Sequence, residues 1–214
     1  MVVPMAWKSG LLALAMTAGA ALAGPTAQAN PAAGMELNDD TGSCTAGFAA
    51  RGGDGRYYLL TSGHCNAGDG SQWADAGDAP LGRIVASENN GDDRDGAMIL
   101  LEPAAGIPSG GVDHRYHIRD VLSGDQLLIG MPFCKVGART GETCGTITDV
   151  DGNVVVTNLL SLEGDSGSPG FVMNPDGTVS AVGILMGGPD GDDYTTHFVL
   201  VDPLLRQWGL QILR

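Results

Sequence analysis

Gly164-Asp165-Ser166-Gly167-Ser168-Pro169 sets a serine between two glycines, where the backbone can turn sharply and a substrate carbonyl can come close. A serine hydroxyl is a poor nucleophile near neutral pH. It needs a base to take its proton and a third group to hold that base in the right tautomer. Upstream stand Thr61-Ser62-Gly63-His64-Cys65 and then Asp95-Gly96-Ala97-Met98-Ile99. The resulting order His, Asp, Ser is that of one of three unrelated triad lineages. The expectation is acyl transfer, with Ser166 as nucleophile, His64 as base and then acid, and Asp95 as the orienting carboxylate. Asp92 and Asp93 compete for the last role, but Asp95 directly precedes the apolar run at 97–101. The backbone N–H groups of Gly164 and Ser166 are the expected oxyanion hole.

The first 29 residues carry a single charged side chain, Lys8, then an apolar run at 11–23, and they end in Ala27-Gln28-Ala29. This reads as a signal peptide spanning 1–29, although cleavage after Ala23 satisfies the same small-residue rule. The run is shorter than the roughly 20 residues a membrane-spanning helix needs. No later segment is apolar enough to span a bilayer. With 25 acidic against 11 basic residues and a net charge of −14, nucleic acid and anionic membrane are excluded as partners. The four cysteines of an exported chain point to disulfides. Three pairings are open, and proximity favours Cys44 with Cys65 and Cys134 with Cys144. The spacings lack zinc clusters, and the acidic loops at 88–95 and 190–193 do not fit a calcium-loop pattern, so no metal and no cofactor are expected.

Glycine is abundant at 34 residues, aromatic content is 5%, and short apolar runs alternate with turn residues, the signature of an all-β chain. Hairpins are expected from 48–51 to 57–61, from 146–148 to 154–156, and from 170–173 to 179–186. One short C-terminal helix is expected, with Asp202 as cap, Pro203 at the first helical position and Gly209 as stop. The Pro/Gly/Ser-rich stretch at 103–110 reads as a connector, which divides the chain into lobes at 30–112 and 113–214.

These motifs together resemble the chymotrypsin-like serine peptidases, in particular the bacterial secreted branch of streptogrisins and alpha-lytic protease. The likeness rests on Thr41 to Phe48, on Tyr57 to Cys65, on Cys134 to Gly141 followed by Cys144-Gly145, and on Gly183-Ile184-Leu185-Met186-Gly187-Gly188. It implies two packed antiparallel Greek-key β-barrels of the trypsin-like kind. His64 and Asp95 would come from the first and Ser166 from the second. It also implies a buried ion pair between Lys135 and Asp165 beside the oxyanion loop, and an extended polypeptide substrate pairing with residues 186–188. A secreted monomer is expected.

The position at which basic-specific relatives carry an acid is Leu160. With Leu185, Met186, Gly187 and Gly188 as the remaining substrate-binding residues, an apolar P1 side chain is expected rather than Lys or Arg. His197 offers an alternative, an acidic P1. The chain departs from the resemblance at Met186, where relatives place a serine that hydrogen-bonds the buried aspartate, and in lacking a third disulfide. Those departures keep open a non-catalytic binding domain on a protease scaffold, and because one acyl-transfer site can serve both peptides and esters, an esterase is a further alternative.

Overall fold

The computed structural model describes residues 1–2, 30–91 and 93–214. The expected signal peptide falls almost wholly outside the described residues, and Asp92 does too. The first sheet is built from β1 (Glu36–Asn38), β2 (Ser43–Thr45), β3 (Ala49–Gly52), β4 (Tyr57–Thr61), β5 (Trp73–Ala74), β6 (Pro80–Asn89) and β7 (Asp95–Leu101). The second contains β8 (Ile118–Val121), β9 (Pro132–Gly137), β10 (Gly141–Asp151), β11 (Val154–Thr157), β12 (Pro169–Met173), β13 (Val179–Gly187) and β14 (Thr196–Leu200). Helix α1 (Val201–Trp208) and strand β15 (Leu210–Ile212) end the chain.

The second sheet runs β12-β9-β10-β11-β14-β13 and closes through β12–β13 pairing into a six-stranded barrel, with β8 added parallel to β13. The first runs β15-β3-β4-β7-β6-β5-β1-β2 and curls without closing. Two packed β units of the trypsin-like kind are therefore present, the first a half-barrel.

All three expected hairpins form, as β3–β4, β10–β11 and β12–β13. The period of two decides which core each side chain enters. In β4, Leu59 faces the first unit's own core with Leu37, Trp73, Leu81 and Ile99. Its neighbours Tyr58 and Leu60 face the opposite way, into a cluster shared by both units that includes Phe48, Ile118, Phe171 and Ile184. The second barrel is filled by Phe133, Ile147, Val155, Val182, Leu185 and Phe198. Phe133 and Phe198 meet there in a tilted pair with centroids 4.8 Å apart.

The helix departs from expectation at its start. It begins at Val201, which is fully buried in the shared cluster, so β14 runs directly into it and Leu200 occupies the cap position. Asp202 lies inside the first turn and caps nothing. It pairs instead with Arg206 one turn on, and its charge suits the positive end of the helix. Leu204 and Leu205 carry the helix into the shared core. After Gly209 the chain crosses to the first sheet, where β15 pairs antiparallel with β3. A segment that leaves the second barrel thus closes the edge of the first.

Both disulfides form as proximity suggested. Cys44–Cys65 ties β2 to the turn after β4, and Cys134–Cys144 joins directly opposed residues of β9 and β10. Replacing Cys44 and Cys65 together by alanine frees a loop of 21-residue separation. The expected cost is about 3 kcal/mol on the chain-entropy account, read as a lower denaturant midpoint with a steeper slope, because the unlinked unfolded chain is more expanded.

Candidate active site

His64 sits in a single 3-10 turn, Gly63–Cys65, that follows β4 directly. Asp95 is the first residue of β7, 3% exposed, and hydrogen-bonded strand pairing with β6 holds it in place. Its Oδ1 accepts the His64 backbone N–H at 2.8 Å and its Oδ2 lies 2.7 Å from His64 Nδ1. An ionised carboxylate only accepts, so the imidazole proton belongs on Nδ1 and Nε2 is left with its lone pair. The ring itself stays open to substrate, with 38% of its side-chain surface exposed.

Ser166 lies half-buried in the loop between β11 and β12. Gly164 and Gly167 on either side have φ of 96° and 92°, in the region that favours glycine. A Cβ at Gly167 would also stand 2.2 Å from the Thr45 carbonyl and 2.3 Å from Thr61 Oγ1. The serine loop is thus pressed onto the segment that leads into His64. Thr45 holds it there: its N–H donates to the Ser166 carbonyl at 2.7 Å, its hydroxyl donates to the Gly164 carbonyl at 2.8 Å and accepts the Ala138 N–H. The structure joins His64 to Asp95 by hydrogen bonds and brings the Ser166 loop against Thr45, Thr61 and Ser62, the last two of which lead into the His64 turn. Among the described residues no hydrogen bond links the Ser166 hydroxyl to His64, a contact that in unliganded sites is often long and tightens with substrate.

Behind the loop, Lys135 and Asp165 pair at 3.1 Å with both side chains fully buried. Asp165 Oδ1 accepts the backbone N–H groups of Arg139 and Thr140. Its Oδ2 accepts the Leu162 N–H, the Thr140 hydroxyl and the Lys135 ammonium. Lys135 also donates to Thr140 Oγ1 at 2.6 Å. Burial pushes the Asp165 carboxyl up, but the Leu162 N–H, the Thr140 hydroxyl and the lysine charge outweigh it and hold the group below the usual range. For Lys135 burial wins and lowers the ammonium below its ordinary value, offset in part by Asp165.

Leu160 is half-buried, and its carbonyl accepts the Thr143 hydroxyl. Leu185 is 2% exposed, with its side chain in the second barrel's core. Met186 and Gly187 are half-buried at the end of β13 and Gly188 is exposed; Met186 packs on the shared core. His197 stands opposite Gly187 on β14. The recorded hydrogen bonds to Asp95 both come from His64, and Met186 supplies none. A cavity of about 650 Å³ adjoins Gly164, lined by Glu36, Ser43, Arg139, Leu162, Glu163 and Asp193 among others. A second, apolar cavity of about 580 Å³ on the first unit contains none of these candidate residues. Among the described residues, the grouping Cys134, Glu142 and Cys144 has metal-ligand proximity, but its two sulfurs are spent in a disulfide.

Sequence reading missed three hydroxyls. Thr45 and Thr140 clamp the serine loop, and the buried Ser62 reaches across to the Leu185 carbonyl. Their signal was faint: a hydroxyl residue beside Cys44, beside His64, or in the turn after Lys135.

No family model matches this chain. It is 29% identical over 176 residues to an uncharacterized protein of Mycobacterium tuberculosis, covering 74% of this chain and 76% of that one. It is 25% identical over 161 residues to serine protease 2 of Streptomyces fradiae, covering 69% and 87%. Among solved structures, Thermobifida fusca protease A superposes with a TM-score of 0.70 at 24% identity, covering 85% of this chain and 97% of that one. The Nocardiopsis protease gives 0.69 at 25% identity, covering 87% and 100%. The structural neighbours are bacterial chymotrypsin-like serine proteases, in agreement with the resemblance drawn from the motifs.

Replacing Lys135 by methionine leaves Asp165 buried without its cation, at an expected cost of about 3–5 kcal/mol. The pH dependence follows from the direction of the Asp165 shift. A depressed folded pKa gives stability that is fully present above the ordinary carboxylate value of about 4 and lost as pH falls through the lower folded value. Losing the ammonium raises that folded value, so acid unfolding of the variant should begin at higher pH than in the parent. Fluorescence of the buried Trp73 against pH reads this, and an unchanged acid midpoint would contradict it.

Proposed function

We propose that this chain is an exported serine endopeptidase that hydrolyses peptide bonds through an acyl-enzyme on Ser166. The observation that carries the reading is the two-point attachment of His64 to the buried Asp95, with the glycine-flanked Ser166 loop held against Thr61 and Ser62, which lead into the His64 turn. With its proton on Nδ1, His64 presents Nε2 to take the Ser166 proton as the hydroxyl attacks the scissile carbonyl. The imidazolium then returns that proton to the leaving amine, and Asp95 stabilises the cation meanwhile. Charge developing on the carbonyl oxygen would be met by the N–H groups of Gly164 and Ser166, donors whose loss costs on the order of 10²–10³ in rate. Deacylation repeats the sequence with water in place of the serine.

Support for the oxyanion role comes from the surroundings of the loop. Thr45 grips the Gly164 and Ser166 carbonyls, and Asp165 between them is tied to Lys135, so the donors need no reorganisation as charge appears. An extended substrate would add its backbone along Met186, Gly187 and Gly188. Leu160 and Met186 favour an apolar P1 side chain over a basic one. The protein would act as a monomer.

A binding domain without turnover is the second reading. It is favoured by Met186, which gives the buried Asp95 no hydrogen bond. A fluorophosphonate probe separates the two. The enzyme reading expects one phosphonyl adduct on Ser166 by mass spectrometry, absent in Ser166→Ala. It also expects Asp95→Asn to keep the fold while lowering kcat by about 10⁴. A folded parent that stays unlabelled supports the binding-domain reading.

Profiling cleavage of a peptide library tests the pocket. Leucine, methionine or phenylalanine should dominate P1, and a lysine, arginine or glutamate preference would overturn the assignment of the lining.

A further inference from the structure

The carbonyl oxygen of Leu185 accepts two hydrogen bonds that arrive from opposite halves of the site. One comes from the Ser62 hydroxyl at 2.5 Å, the other from the Gly167 backbone N–H at 2.9 Å. Ser62 precedes His64 by two residues, and Gly167 follows Ser166 by one. A single acceptor atom therefore links the chain carrying the candidate base to the chain carrying the candidate nucleophile, and it belongs to the residue just before Met186.

The intervening backbone has little slack. The turn after Ser62 is closed by hydrogen bonds from Cys65 N–H to the Ser62 carbonyl and from Asn66 N–H to the Gly63 carbonyl, and Cys65 is tied to Cys44. On the other side, Ser168 N–H bonds to the Asp165 carbonyl, and Leu185 N–H to the Ser168 carbonyl. A shift at either end of the Ser62 to Leu185 contact is thus passed on to the imidazole or to the serine.

Ser62 is fully buried, and Leu185 is 2% exposed. A hydroxyl taken out of water is costly unless it finds a partner, and a methyl group would fill most of the same space at no such cost. Its partner at Leu185 is 123 residues away in the chain. Met186, next along the strand, has no hydroxyl to offer Asp95, whose recorded hydrogen bonds come from His64 itself. Side chains of β13 therefore do not fix the His64–Asp95 unit relative to the substrate strand; a hydroxyl from the His64 side reaches over instead.

We propose that Ser62 is a positioning residue: by sharing the Leu185 carbonyl with the Gly167 N–H, it fixes the separation of the His64 ring and the Ser166 hydroxyl. Its kinetic consequence rests on the serine-peptidase reading; the structural tie does not. Misplacing reacting groups by about 1 Å costs on the order of 10² in rate, so loss of the tie should fall on kcat and spare KM.

The test compares Ser62→Ala, Ser62→Thr and Ser62→Val in the full chain. Threonine and valine crowd the site equally and differ only in the hydroxyl, so their comparison survives any packing defect. Alanine and valine should lower kcat by about tenfold to a hundredfold with KM nearly constant, and threonine should recover most of the loss. Amide hydrogen exchange at Gly167 supplies a readout independent of turnover, expected to quicken in the alanine and valine variants and to stay near the parent rate with threonine. A parent that is never phosphonylated, yet shows this exchange pattern, rejects the peptidase reading and keeps the tie. Equal kcat for threonine and valine, with Gly167 exchange unaltered in all variants, overturns it.

Discussion

The fully buried pair Lys135–Asp165 is the constraint on which the geometry of the serine loop depends. Removing two charges from water costs several kcal/mol per ion, and mutual attraction offsets this only when the remaining lone pairs are satisfied. Asp165 meets that condition by accepting three backbone N–H groups, the Thr140 hydroxyl and the lysine ammonium. The three backbone donors come from residues 139, 140 and 162. The carboxylate is thus locked to the loop after β9 and to the start of its own loop, and Ser166 follows it without a spacer. Lys135 is the only lysine after residue 8; every other Lys or Arg beyond that point is arginine. A guanidinium would bring five N–H donors in a rigid fork. At this site the backbone already fills most of the carboxylate's acceptor capacity, and a compact ammonium bonded to Asp165 and Thr140 leaves fewer donors to satisfy.

The two β units do not meet as independent bodies. Phe48 and Leu60 from the first, Phe171 and Ile184 from the second, and Val201 and Leu204 from the helix belong to one apolar cluster, while each unit keeps a smaller core of its own. Apolar packing supplies attraction without direction. It cannot by itself set a separation between side chains to a few tenths of an ångström. That precision comes from directional contacts buried in the same seam: Thr45 to the carbonyls of Gly164 and Ser166, and Ser62 to Leu185. Each has a fully buried hydroxyl residue at one end. The shared core holds the units together and the hydroxyls fix their register.

Much of this was legible because it is local. Turn residues around Gly53, Gly152 and Gly177 announced the three hairpins, and a cysteine beside His64 with a second 21 residues upstream announced a bridge. The motif at 164–169 pointed to the serine loop, and Asp95 stood out from Asp93 because an apolar strand begins just after it. What escaped the sequence is long-range. Openness of the first sheet depends on the register of every strand around it, which no single strand records. Capping chemistry alone starts the helix at Pro203 with Asp202 as cap, but burial of Val201 in the shared core overrides that local preference. The resemblance of 183–188 to a pocket-lining strand makes Leu185 a pocket residue, which its buried side chain is not. Its side chain points into the barrel beside its cross-strand partner Phe198, a pairing that strand β13 alone does not record. The partners of Thr45 and Ser62 lie 119 and 123 residues away and are backbone carbonyls, which carry no sequence signature.

Methionine at 186 acquires a physical sense from the way Asp95 is satisfied. A buried carboxylate needs donors on both oxygens, and here both are supplied by His64, one from its backbone and one from its ring. The backbone donor does not depend on the ring's rotamer, so it anchors the carboxylate even when the imidazole moves, and the ring then has a fixed acceptor to return to. With that arrangement in place, position 186 is released from supplying a hydroxyl and can serve packing, where a flexible thioether fills irregular space beside the shared core. The cost is that, among the described residues, the Asp95 and His64 side chains form a closed unit with no hydrogen bond to the second barrel. Their alignment with Ser166 must then be set through the backbone on either side of them, and it is there, at Thr61, Ser62 and Cys65, that the chain concentrates its buried hydrogen bonds and its disulfide.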